Sequence, residues 1–170
     1  IYDRDVGVIF PPVDTEKFKI KSTFITPYGE YYLTVSRLVS YKKIDVLINS
    51  FNENGKTLVI VGDGAERSRL LQLAKPNVIL VGSASEEELI GYYQGALAFL
   101  HAGEEDFGIA MVEAGSAGIP VIAYDQGGAA DIVISQKTGI LVERGLPEDF
   151  SRAIDMFETM TFDREICQKN

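Results

Sequence analysis

The stretch TLVIVGDGAERSRLLQLAKPNVILVG, residues 57–82, decides the fold class. It opens on a short continuous apolar run, TLVIVG (57–62), and closes on another, NVILVG (77–82). Runs of that length without polar alternation suit strands that are covered on both faces. Between them Gly62-Asp63-Gly64 forms a turn, and the residues around Glu66–Leu73 read as a polar helix. Strand, turn, helix and strand in that order make the unit from which parallel sheets are built.

The same alternation extends to both sides. Upstream, YYLTVSR (31–37) is a strand, and Lys43–Phe51 has helical spacing through Ile44, Leu47, Ile48 and Phe51. Downstream, Ser85 with Glu88 forms a capping box that opens a helix. ALAFL (96–100), a helix over 108–117, PVIAY (120–124), a helix near 129–134, GILV (139–142) and a helix from Pro147 follow. The series predicts an α/β fold: a Rossmann-like parallel six-stranded sheet with helices on both faces. Ligands of such sheets lie beyond the carboxyl ends of the strands. The turns at 37–43, 62–65, 82–86, 101–108 and 124–129 are therefore the places where chemistry is expected. Residues 31–170 read as one domain and residues 1–30 as a linker leading into it. With Ile as its first residue, the chain is expected to be a piece of a longer protein.

Composition narrows the function. A formal charge of −9 disfavours a general nucleic-acid surface or an anionic-membrane surface, both of which need a basic patch. A phosphate ligand would have to be held by a few placed cations and backbone amides. The single cysteine, Cys167, permits no internal disulfide and fits a reducing, cytoplasmic compartment. No apolar run approaches the ~18 residues that a transmembrane helix needs.

Isolated cations and carboxylates stand at the strand ends. Arg37, Lys42 and Lys43 flank one turn, either as an anion site or as a solvated cluster beside a helix. Gly62 and Gly64 fall short of a dinucleotide fingerprint, because Arg67 occupies the third glycine position. They read as a tight turn that lets a backbone approach a ligand closely. Phe107, Gly108 and Ile109 open a helix whose free amides form an anion site. Glu105 lies at the mouth of that helix. Glu113, between Val112 and Ala114, lies too far along it to serve the helix dipole. A carboxylate among apolar neighbours costs several kcal/mol, in rough terms, unless it is paired, so Glu113 is expected to face a ligand. Two vicinal hydroxyls would match its oxygens. His101, the only histidine, is either an acid–base group or a structural residue near a site. Gly127-Gly128 with Asp131 reads as a turn and cap.

In order along the chain, these motifs resemble the carboxyl-terminal, donor-binding half of a GT-B glycosyltransferase of family 4. PPVDTEKF (11–18) is similar to the interdomain approach segment of that family, and SRLVSYKKID (36–45) to its Arg-Leu-x-x-x-Lys pattern. VGDG (61–64) and EDFGIAMVEAGSAGIPVIA (105–123) resemble its glycine turn and its Glu-x7-Glu element, and GGAADIV (127–133) and TGILV (138–142) continue the order. The resemblance is closest to the WbaZ-like mannosyltransferases of polysaccharide assembly, which use GDP-mannose. It implies that Arg37 and Lys42 neutralise the donor diphosphate, with Glu105 completing the catalytic set at the sugar. It further implies that Glu113 binds the ribose and that Phe107, Gly108 and Ile109 hold sugar and phosphate. The segment 81–85, with Val81 and Gly82, would lie near the base, while Gly62 and Gly64 would belong to the nucleotide-sugar site as its glycine turn. Retention of configuration and independence of metal ions and other cofactors are implied as well. The acceptor, a glycan or a lipid-linked glycan, would be bound by an amino-terminal domain absent from this chain. That arrangement leaves room for peripheral attachment of the full-length protein to the inner face of a membrane. The chain alone is expected to bind nucleotide and hardly turn over. UDP- or ADP-glucose as donor, or a catalytically silent nucleotide-binding module, are the alternatives. Asp131 stands where the family usually has Glu, and its shorter reach keeps a sugar contact from being carried onto it.

Overall fold

A computed structural model of the chain describes residues 9 and 11–170. Six strands form one sheet: β1 (Tyr32–Val35), β2 (Leu58–Val61), β3 (Val78–Gly82), β4 (Phe99–His101), β5 (Val121–Tyr124) and β6 (Gly139–Val142). Their order is β3-β2-β1-β4-β5-β6, and every neighbouring pair is parallel. The helices are α1 (Glu16–Lys19), α2 (Ile44–Asn54), α3 (Arg67–Leu73), α4 (Glu86–Gly95), α5 (Ile109–Ser116), α6 (Ala129–Ile132), α7 (Pro147–Glu158) and α8 (Arg164–Lys169).

Strand periodicity divides the core into two layers. Leu58 and Ile60 turn to the face covered by Leu47, Ile48 and Phe51 of α2 and by Phe150 and Ile154 of α7. Val59 and Val61 turn to the opposite face, among Phe18, Tyr92, Tyr93, Met111 and Ala114 of α1, α4 and α5. All four β2 residues are buried, as expected for a strand with helices on both sides. The helix ends are chemically marked. Gly55, at φ 74°, stops α2, Pro147 starts α7, and Ser85 and Glu88 cap α4 reciprocally.

In two strands a boundary moves from the sequence expectation by more than one residue. The first strand ends at Val35 rather than Arg37, because the chain leaves the sheet at Ser36 to pack against the 62–64 turn. The fourth begins at Phe99 and runs on to His101, because Ala96 still caps α4. The segment expected as a linker is also informative. Residues 1–8 and 10 lie outside the described residues, while Phe18 of α1 is buried and Gln94 bonds the carbonyls of Phe18 and Ile20. Phe24 and Tyr28 pack on Tyr92. From α1 onward this segment is part of the domain's packing. The sequence reading also had no place for α1 and α8.

The strand order sets the position of the site. From β1 the chain moves outward to β2 and β3, then returns to lay β4 on the other side of β1. The loops after β1 and β4 therefore diverge, which opens a crevice between the carboxyl ends of those two strands.

Candidate functional site

The crevice at this switch point has a volume of about 450 Å³, and Arg37, Lys42, His101, Glu105, Gly108 and Glu113 are among its lining residues. Arg37 is exposed, and its guanidinium has no ion-pair partner among the described residues. Lys42 ends a 3-10 turn (Ser40–Lys42), and its ammonium pairs with the Glu105 carboxylate. Burial lowers the Lys42 pKa, so the adjacent carboxylate is what favours its charged form. Lys43 takes the left-handed conformation at φ 55° and lies outside this lining.

The Glu105 loop is clamped from behind. The amide of Gly128 donates to the Glu105 carbonyl at 2.7 Å, and a Cβ on Gly127 would stand 2.2 Å from that same oxygen. The Gly-Gly pair, read from sequence as a turn, thus fixes the position of a crevice carboxylate through backbone contact. Gly108, at φ 64°, then starts α5. Its carbonyl accepts from Met111 and Val112, while the amides of Ile109 and Ala110 have no backbone acceptor. The positive end of α5 opens into the crevice there. Phe107 and Ile109 beside it are partly exposed.

Glu113 reaches the crevice from the second turn of α5. Its Oε2 accepts a 2.9 Å hydrogen bond from the Tyr93 hydroxyl, which lies 3.3 Å from the Ala110 carbonyl. Burial raises the carboxyl pKa, and the Tyr93 bond and the nearby Lys17 charge oppose that rise. Burial likewise holds the Tyr93 phenol in its protonated, donating form. One oxygen of Glu113 is therefore anchored, while Oε1 has no hydrogen-bond partner among the described residues. Sequence reasoning missed Tyr93. The signal was a tyrosine on the buried face of a helix, whose hydroxyl needs a partner.

Other expected site residues lie elsewhere. A Cβ on Gly62 would meet the Ser36 carbonyl at 2.0 Å, and one on Gly64 would meet the Leu38 carbonyl at 2.3 Å. These glycines admit the chain's own backbone and hold the loop that carries Arg37. Val81 and Gly82 end edge strand β3, away from the lining of the crevice. Asp131 lines separate hollows between α5 and α6. Among the described residues, no group of three or more His, Cys, Asp and Glu side chains is placed to hold a metal ion. No described helix is long and apolar enough to cross a membrane.

The order of strands, the crevice and its paired charges agree with what sequence comparison finds. The family model for glycosyl transferases of group 1 matches residues 15–170. The chain belongs to that family. A GDP-mannose-dependent alpha-mannosyltransferase of Mycobacterium tuberculosis is 39% identical over 112 residues, 65% of this chain and 29% of that protein. A GDP-mannose-dependent alpha-(1-6)-phosphatidylinositol monomannoside mannosyltransferase of the same species is 30% identical over 91% of this chain and 46% of its own length. The GtfA subunit of a UDP-N-acetylglucosamine–peptide N-acetylglucosaminyltransferase from Streptococcus agalactiae is 31% identical over 81% of this chain and 30% of its own length. This glycosyl transferase chain thus spans less than half the length of each of these relatives. Its fold matches that of the lipopolysaccharide outer core galactosyltransferase WaaB with a TM-score of 0.79, at 22% identity, over 99% of this chain and 51% of that one. The fold is that of GT-B glycosyltransferases.

Proposed function

We propose that the chain is the donor-binding half of a retaining hexosyltransferase that takes mannose from GDP-mannose. The acceptor, a glycan or a lipid-linked glycan, would be held by the remainder of the full-length protein. The observation that carries this reading is the convergence of Arg37, the Lys42–Glu105 pair, the start of α5 and Glu113 on one crevice at the β1/β4 switch point. In this reading the ribose hydroxyls donate to Glu113, whose Oε1 is left open by the Tyr93 anchor. The diphosphate lies between Arg37, Lys42 and the amides of Gly108 and Ile109. Fixed cations and helix amides oppose the charge that grows on the departing diphosphate, the task that electrostatic preorganisation performs best. Glu105 faces the hexose. No metal ion is required for these roles. The names of the two mannosyltransferase relatives support GDP-mannose as donor.

A second reading, a UDP-sugar donor, is favoured by the relative named for UDP-N-acetylglucosamine. Calorimetric titration of the chain with GDP, UDP and ADP separates the two. GDP is expected to bind most tightly, and Glu113→Ala and Arg37→Ala are each expected to weaken it roughly tenfold or more. No binding of any of the three nucleotides, or unchanged binding in both variants, would sink the proposal. The chain alone is expected to show little or no glycosyl transfer.

A further inference from the structure

His101 is the last residue of β4, paired in register with Ala123 of β5. Its side chain is only 6% exposed, yet it lines the crevice. Its Nε2 has no hydrogen-bond partner among the described residues and lies 3.9 Å from Glu105 Oε1, beyond bonding reach. The Gly103 main chain beside the ring acts in the sense that favours a proton on the imidazole, and because Nε2 is the nitrogen without a partner we assign that proton to Nδ1. Burial and the Lys42 charge push the imidazole pKa down to about 4, so the ring is neutral at physiological pH. A neutral imidazole with its proton on Nδ1 has a bare lone pair on Nε2. The fold therefore holds a buried, unpartnered acceptor in the wall of the crevice, where a ligand hydroxyl would supply the missing partner.

A lone pair selects its partner chemically. A phosphate oxygen has no hydrogen to offer and is repelled, whereas a hydroxyl donates and is held. The proposed nucleotide sugar brings hydroxyls on its ribose and on its hexose. Glu113 serves the former in the proposed reading. His101 lies instead beside Glu105, on the hexose side of the crevice. We propose that His101 Nε2 accepts a hydrogen bond from a hydroxyl of the donor hexose, making His101 a determinant of sugar choice rather than of nucleotide choice. The inference rests on the proposed donor site and adds to it the group that recognises the sugar.

Calorimetry on the chain with GDP and GDP-mannose tests it, comparing the wild type, His101→Phe and His101→Gln. His101→Phe is expected to weaken GDP-mannose roughly tenfold more than it weakens GDP. His101→Gln, whose amide oxygen can accept in place of Nε2, is expected to recover most of that difference. In the wild type, one member of a monodeoxy GDP-mannose series is expected to bind as weakly as GDP-mannose binds to His101→Phe. That series needs no variant to fold. Equal weakening of GDP and GDP-mannose in His101→Phe overturns the proposal, as does a deoxy series in which no hydroxyl matters. GDP binding with either outcome leaves the donor-site reading standing, whereas no binding of GDP, UDP or ADP by the wild type overturns both.

Discussion

Two strand ends of this sheet carry similar sequences and meet different fates. The turn after β2 holds Gly62 and Gly64, and the turn after β4 leads to Gly108. After β2 the glycines are filled by the chain itself, with the carbonyls of Ser36 and Leu38 where side chains would otherwise stand. After β4 the clamp comes from behind, through Gly127 and Gly128, and the front of the loop faces an open crevice. A glycine at a strand end signals that something approaches closely. Topology decides whether that something is the protein or its ligand.

The closed turn offers the largest effect. Gly64→Ala would place a Cβ 2.3 Å from the Leu38 carbonyl, a backbone atom that no side-chain rotation relieves. Overpacking of this kind is expected to cost on the order of 3 kcal/mol, read as a lower urea midpoint at constant m-value. If Gly64 instead admitted a ligand, stability would hold and only nucleotide binding would fall. That result would erase the contrast between the two turns.

At the open turn the expected signs are opposed. Glu113→Gln keeps a partner for Tyr93 and removes a charge, so nucleotide affinity should fall by about 2 kcal/mol while the fold does not suffer. The pH dependence gives the sign. Burial raises the Glu113 pKa above its ordinary 4.5, so the folded chain holds this proton more tightly than the unfolded chain. Between 4.5 and the raised value, this group therefore makes stability decline as pH rises. Thermal melts of Glu113→Gln across that window should show a flatter profile than the wild type. A steeper one would mean that Glu113 serves the packing and not the crevice.

The smallest effect sharpens the same point. Tyr93→Phe keeps the edge contact with Phe18 and deletes one hydrogen bond. The groups acting on Glu113 are Tyr93 from α4 and Lys17 from α1, and both oppose the rise in its pKa. Losing the hydroxyl should raise that pKa further and weaken nucleotide several-fold at neutral pH, about 1 kcal/mol. Carbon-13 titration of the Glu113 carboxyl reads the shift directly, and an unmoved titration would show that Tyr93 is only core.

Much of this was legible beforehand. The apolar runs, the α4 capping box and Pro147 at the start of α7 are local signals, and each marks an element in the structure. Lys42, Glu105 and Glu113 were legible as charges out of place. Less visible was what accompanies each of them. Tyr93 lies twenty positions before Glu113, and Gly127 lies far along the chain from Glu105. Neither spacing follows a helical or strand period. His101 read as ambiguous because a lone histidine carries no sign of whether its second nitrogen finds a partner.

By itself the sequence determined the number and kind of elements and the places where backbone must come close. Side-chain periods of 3.6 and 2, caps and glycines are properties of neighbouring residues, so they are written locally. Only the tertiary structure decided that β4 returns to lie against β1, and that step assembled the crevice. It also decided that Gly62 and Gly64 meet the protein's own carbonyls, that Glu113 leans on a buried tyrosine, and that His101 faces the crevice with a bare nitrogen. Each of these depends on pairing between distant segments. Such pairings are chosen by burial of the whole core and not by any residue's own preference.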